Sequence, residues 1–152
     1  MANARFERFA DSQEVHVDSD GERSTPKLKI LVIDDEAPIR RALRRLLQLK
    51  GYEVHEAENG AQGMRMMAEQ ACDLVITDMV MPEKEGVETC MELRKFYPKV
   101  PFISICGAPS AATYLQVANK LGAVAMIAKP FSSAEIFEAI DLARQRIEAD
   151  ED

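Results

Sequence analysis

At 152 residues, 47% of them hydrophobic, the chain has the material for one domain around one core. Its net charge of −7 argues against a broad nucleic-acid-binding surface, and no apolar run approaches the roughly 18 residues that span a bilayer. The three cysteines, Cys72, Cys90 and Cys106, are scattered without metal-ligand spacing, which excludes a disulfide scaffold and predicts a reducing, cytoplasmic setting.

Residues 1–27 are polar, mixed in charge and rich in turn formers, so they read as a flexible arm. MANARFERFADSQ lacks the apolar centre of a secretory signal, and Phe6 and Phe9 would share one face of a helical turn. A domain over 28–149 follows, with an acidic tail at 150–152 that is expected to fray.

The domain opens on the apolar strand LKILVI, which runs into three acids, Asp34, Asp35 and Glu36. PIRRALRRLLQLKG is a helix, with Pro38 at its start and Gly51 at its exit. Ile39, Ala42, Leu43, Leu46 and Leu47 make its apolar face, and Arg40, Arg41, Arg44 and Arg45 are predicted to face solvent. YEVHEA alternates like a half-buried strand. NGAQGMRMMAEQ is a turn and short helix, with Met64, Met67 and Ala68 inward. CDLVITDM is a second apolar strand ending in an acid, and VETCMELRKFY is a helix. PFISIC, SAATYLQVANKLG and AVAMIA are strand, helix and strand. The last helix, SSAEIFEAIDLARQRIEA, opens with the capping box Ser132–Glu135 before the stripe Ile136, Ile140, Ala143 and Ile147. Cys72 and Cys90 read as core filling, and His16 and His55, without carboxylate neighbours at ligand spacing, as surface residues.

Continuous apolar strands alternating with amphipathic helices predict an α/β domain with a parallel sheet covered on both faces. Ligands of such sheets bind at the carboxyl ends of the strands. That edge gathers Asp34 and Asp35 after the first strand, Asp78 after the third, Cys106-Gly107 after the fourth and Lys129-Pro130 after the fifth. Like charges so close repel unless a cation lies among them. Clustered carboxylates suit Mg²⁺, which takes a few carboxylates plus water and phosphate oxygens. Beside such an ion Asp78 is placed to act as a nucleophile that forms an aspartyl-phosphate, and Lys129 to meet the phosphoryl oxygens. Taken alone, Asp35 or Glu36 would equally suit a helix N-cap. A Gly-rich turn for a dinucleotide is missing from DDEAP. Val80 stands where a phosphatase of the aspartyl-phosphate type would need a second acid.

DDE (34–36), DMVMPEKEG (78–86), Cys106-Gly107 and KPF (129–131), in this order and each at a strand end, resemble the receiver domain of two-component response regulators. The resemblance implies a flavodoxin-like, three-layer (βα)5 fold with strand order 2-1-3-4-5. It implies Mg²⁺ held by Asp35, Asp78 and the backbone carbonyl of Val80, with Asp34 acting through water. It also implies phosphorylation of Asp78 by a sensor histidine kinase or histidine phosphotransfer protein. Such a chain is a phosphoacceptor rather than an enzyme, and its output would pass by protein–protein contact to a downstream protein, through the face of the fourth helix and fifth strand.

Two positions depart from the family's pattern. Cys106 stands where Thr or Ser is usual, and a thiol is a weaker donor than a hydroxyl. Ser104 lies two residues back on the strand, roughly 6–7 Å away. Met126 stands where an aromatic residue often rotates inward. These departures leave a phosphorylation-independent binding scaffold, or a phosphate relay or sink, as alternatives.

Overall fold

A computed structural model of the chain describes residues 28–80, 85–107 and 111–151. The arm at 1–27, with Phe6, Phe9 and His16, lies outside the described residues, as do part of DMVMPEKEG (81–84), the start of the loop after the fourth strand (108–110) and Asp152.

Five parallel strands, β1 (Lys29–Ile33), β2 (Glu53–Ala57), β3 (Leu74–Asp78), β4 (Phe102–Gly107) and β5 (Ala125–Lys129), form one sheet in the order β2-β1-β3-β4-β5. Five helices connect and follow them: α1 (Ala37–Leu49), α2 (Gly60–Gln70), α3 (Glu85–Phe96), α4 (Ala111–Lys120) and α5 (Ser133–Glu151). This is the flavodoxin-like architecture. No helix among the described residues is long and apolar enough to cross a membrane.

The apolar strands read as continuous because both sheet faces are covered and side chains alternate between them. Ile30, Val32, Leu74, Ile76, Ile103, Ile105 and Ile127 face α1 and α5, meeting Leu43, Leu47, Ile136, Ala139, Ile140, Ala143 and Ile147. Leu31, Ile33, Val75, Phe102 and Cys106 face the other way, onto Met67, Cys90, Leu93 and Ala118 of α2, α3 and α4. All three cysteines are free and buried. Burial pushes the Cys72 thiol up to about 11 and the Cys90 thiol up to about 12, which leaves both unreactive.

Side-chain placement differs from the sequence expectation at several positions. Ala42 and Ala68 are exposed at the margins of their helices. On α2 the inward positions beside Met67 are Gly60 and Gly63. A Cβ at Gly63 would overlap the Cδ1 methyl of Ile33, so α2 lies close to β1 at this position. His55 pairs with Glu53, Nε2 to Oε2 at 2.7 Å, because residues two apart share one face of edge strand β2. The last helix reaches Glu151, since the helix formers of ARQRIEA carry it past its last buried residue, Ile147.

The capping box is formed: Ser132 N–H donates to Glu135 Oε1 at 2.9 Å, and Glu135 N–H donates to Ser132 Oγ at 3.1 Å. Ser132→Ala is expected to lower stability by about 1 kcal/mol, seen as a reduced urea midpoint at unchanged slope.

Candidate functional site

The strand order puts β1 and β3 side by side at the centre, with their following segments leaving toward opposite faces, and a crevice opens between them. The ladder continues past both strand ends. Asp34 N–H donates to Ala57 O at 3.1 Å, and Met79 N–H donates to Ile105 O at 2.8 Å. Asp34 and Asp78 are therefore held by backbone on either side of the crevice. Both are buried, at 1% and 3% exposure, whereas Asp35 and Glu36 are exposed.

Lys129, at the end of β5, reaches back across this edge. Its Nζ lies 3.0 Å from Asp78 Oδ2, 3.1 Å from Asp34 Oδ2 and 3.4 Å from Glu36 Oε2. For two of the three consecutive acids, Asp34 and Glu36, a cation is thus supplied by the chain itself. The Asp34 contact lacks hydrogen-bond geometry, so Asp34 Oδ2 is a buried carboxylate oxygen without a donor. Asp34 Oδ1 accepts from Glu36 N–H at 2.8 Å, and Asp78 Oδ1 accepts from Val80 N–H at 3.0 Å.

Burial pushes the Asp34 carboxyl up to about 6, with the charge of Asp78 adding to the push and the Glu36 N–H and Lys129 opposing it. Burial also raises Asp78, with Asp35 adding to the rise, against Lys129 and the Val80 N–H. For Lys129, burial favours the neutral amine, but the Asp78 and Asp34 carboxylates more than reverse this and hold the ammonium charged.

Native Asp34 therefore binds a proton between about pH 4 and pH 6, where the unfolded chain has largely released it. The contribution of Asp34 to the stability of the metal-free protein therefore falls as pH rises through that window. Asp34→Asn is expected to stabilise the metal-free protein at neutral pH by on the order of 1–2 kcal/mol. It should also flatten the acid limb of a urea-midpoint profile recorded in a chelator.

One carboxylate oxygen from each of Asp34, Asp35, Glu36 and Asp78 lies within 4.8 Å of the others. Opposite ligands of an octahedral Mg²⁺ stand about 4.2 Å apart. The donor set is all oxygen, and it includes the two buried carboxylates, Asp34 and Asp78. The residues present therefore fit a hard divalent cation.

Three features of the site escape a linear reading. Arg40, predicted to face solvent, is only 16% exposed. It donates to Asp34 O at 2.5 Å and pairs with Glu56, which also binds Arg44 at 2.6 Å. The available signal is Glu56 itself: it shares a strand face with Val54, and a carboxylate under a helix calls for a cation from that helix. Glu36, read as a helix-start charge, is the N-cap residue of α1 but makes no side-chain cap bond, and its carboxylate goes to Lys129 instead. Gly86, in the first turn of α3, lies against the backbone of Asp78 and Met79.

Cys106 is buried, and its Sγ donates weakly to Gly107 O at 3.7 Å. Burial raises its pKa, Asp78 adds to the rise and Lys129 opposes it. Met126 is half-buried, in register with Ser104, and lines a cleft of about 400 Å³ with Leu115, Ala118 and Asn119 of α4. Val80 is 40% exposed at the rim.

The chain is similar to known proteins over most of its domain. The transcriptional regulatory protein ResD of Bacillus subtilis (strain 168) is 38% identical over 112 residues, which cover 74% of this chain and 46% of that protein. The response regulator MprA of Mycobacterium sp. (strain KMS) is 30% identical over 124 residues, 82% of this chain and 54% of that one. The chain thus spans about half the length of these relatives. Among solved structures, a response regulator receiver domain protein from Clostridium thermocellum superimposes with a TM-score of 0.72 at 35% identity, covering 78% of this chain and 95% of that one. The chemotaxis response regulator CheY4 of Vibrio cholerae does so with a TM-score of 0.69 at 25% identity, covering 76% and 98%. The family model of the response regulator receiver domain matches residues 30–141, and the chain belongs to that family, the receiver domain of two-component systems.

Proposed function

We propose that the chain is a phosphoacceptor. Asp78 takes a phosphoryl group from the phosphohistidine of a sensor kinase or phosphotransfer protein in a Mg²⁺-dependent reaction, and output passes by protein–protein contact. The observation that carries this reading is the Lys129 ammonium, 3.0 Å from Asp78 Oδ2 and within reach of a second buried acid.

An Asp78 carboxylate oxygen forms a bond to phosphorus as the P–N bond to the donor imidazole breaks. The electron pair of that bond stays on the imidazole, which takes up a proton. Lys129 meets the phosphoryl oxygens and offsets their charge, the main demand of such a transfer. The Val80 N–H and the β3 ladder hold the Asp78 carboxylate in place, and Arg40 holds the acidic turn through the Asp34 carbonyl. Asp34, Asp35, Asp78 and the Val80 carbonyl would hold Mg²⁺. The ion would supply charge that stabilises the phosphoryl oxygens and relieves the repulsion among the acids. The chain modifies itself rather than turning over a substrate. Its free thiols support a reducing, cytoplasmic setting as part of the same proposal. The α4–β5 face, with its cleft at Met126, is the output surface under this reading.

Cys106 and Met126 favour a second reading, a binding scaffold of receiver fold that acts without phosphate. Incubation with radiolabelled acetyl phosphate separates the two. Uptake approaching one phosphate per chain, lost in a chelator and labile to hydroxylamine as an acyl phosphate, is expected. Absence of Mg²⁺-dependent uptake would leave the scaffold.

A further inference from the structure

The Lys129 ammonium has three N–H donors, and three carboxylates surround it. Nζ donates hydrogen bonds to Asp78 and Glu36, with Asp34 Oδ2 3.1 Å away, so a phosphoryl oxygen approaching Nζ competes with carboxylates already at it. Asp78 carries the arriving group. Asp34 is buried and fixed by the Glu36 N–H. Glu36 makes the longest of the three contacts, its side chain is 55% exposed, and it does not cap α1.

We propose that the Glu36 carboxylate is a placeholder on Lys129, occupying in the unphosphorylated protein the position a phosphoryl oxygen takes, so that it competes with phosphoryl donors. This rests on Asp78 being the acceptor and Lys129 its phosphoryl contact. Glu36 is then a positioning residue that acts through Lys129, and it swings into solvent when a donor engages. Among the described residues the Glu36 carboxylate is held by Lys129 alone, and only the backbone of Glu36 serves the helix start.

Two variants separate geometry from charge. Glu36→Gln keeps the shape and removes the charge. Glu36→Asp keeps the charge but shortens the reach, and aspartate at an N-cap turns toward the helix N–H groups. With acetyl phosphate at saturating Mg²⁺, the Asp78 oxygen bonds to phosphorus, the P–O bond to acetate breaks, and acetate leaves with the electron pair. Both variants are expected to lower the half-saturating acetyl phosphate concentration by roughly two- to fivefold, the worth of an exposed ion pair, at an unchanged saturating rate. Affinity for beryllofluoride, a phosphoryl mimic that transfers nothing, is expected to rise by a similar factor in fluorine NMR.

Glu36→Asp behaving as wild type while Glu36→Gln gains would reduce the effect to bulk charge and overturn the placeholder. Weaker Mg²⁺ binding by either variant would make Glu36 a metal ligand and overturn it as well. Equal half-saturation in all three proteins, with Asp78 labelled, removes this inference alone. No labelling of wild-type Asp78 removes the acceptor reading and this inference together.

Discussion

Asp78→Asn is expected to abolish phosphate uptake, with a loss of about 100-fold or more against acetyl phosphate. The reason is specific to one of three neighbouring acids. Asp34 is buried and engaged by the Glu36 N–H, and Asp35 is exposed. Asp78 alone combines burial at the end of the central strand with a full hydrogen bond from the Lys129 ammonium. An amide in its place can still accept from the Val80 N–H, so the turn keeps its shape while the nucleophile is gone. The variant should unfold at a urea midpoint no lower than wild type, since removing an ionised group whose pKa is raised by burial relieves a cost. Labelling of Asp78→Asn at the wild-type level would sink the assignment and turn attention to Asp34 and Asp35.

Gly86→Ala is the second large effect. A methyl group at this position would overlap the carbonyl of Met79 and come within 2.5 Å of Asp78 O. Those are backbone atoms at the acceptor strand's end, and they cannot rotate away. Placed in an unobstructed helix, alanine would gain about 1 kcal/mol over glycine. Here α3 must instead move off β3, at a cost on the order of 3 kcal/mol. Because the displaced backbone carries Asp78 and Val80, phosphate uptake should fall roughly tenfold as well, in line with the sensitivity of catalysis to small misplacements. Gly107→Ala is the control: a Cβ there meets nothing within 4 Å, and the change should be close to neutral. A wild-type urea midpoint for Gly86→Ala would show that α3 does not approach the acceptor as closely as the geometry states.

Under the proposed function, the departures at Cys106 and Met126 would bear on output rather than on acceptance. Among the described residues neither is hydrogen-bonded to the Lys129 cluster, whose ion pairs join Lys129 to Asp34, Glu36 and Asp78. Among the described residues the buried Cys106 thiol bonds to the adjacent carbonyl of Gly107. A phosphoryl group at Asp78 would find there a weaker donor than a hydroxyl. Under the proposed function, any shift of the α4–β5 face on phosphorylation would depend on the differential contacts that thiol can make.

Much of this site is legible in the linear chain. Asp34, Asp35, Asp78 and Lys129 each close an apolar run, and the alternation of strand and helix sends strand ends to one edge. The capping box at Ser132 and the stripe from Ile136 to Ile147 are local patterns with local causes, and both appear as read. Arg40 and Glu36 were not legible in the same way. A helical periodicity says which side of α1 is apolar, yet Arg40 sits on the flank of that side, where Glu56 of β2 and the Asp34 carbonyl draw it in. Ala42 and Ala68 fell outside the core for a related reason: a small side chain at the margin of a helix buries little area either way, so packing distance decides.

The chain by itself determined the order of elements, the parallel sheet and the kind of chemistry its edge can hold, because these follow from patterns over a few residues. Tertiary structure decided which groups meet. Lys129 and Glu36 are 93 positions apart, and Lys129 and Asp78 are 51 apart. Their contact depends on β5, β3 and β1 lying in one sheet and on how far a lysine reaches across its edge. Gly86 needs the same third dimension, since only the packed helix puts it against the acceptor's own backbone.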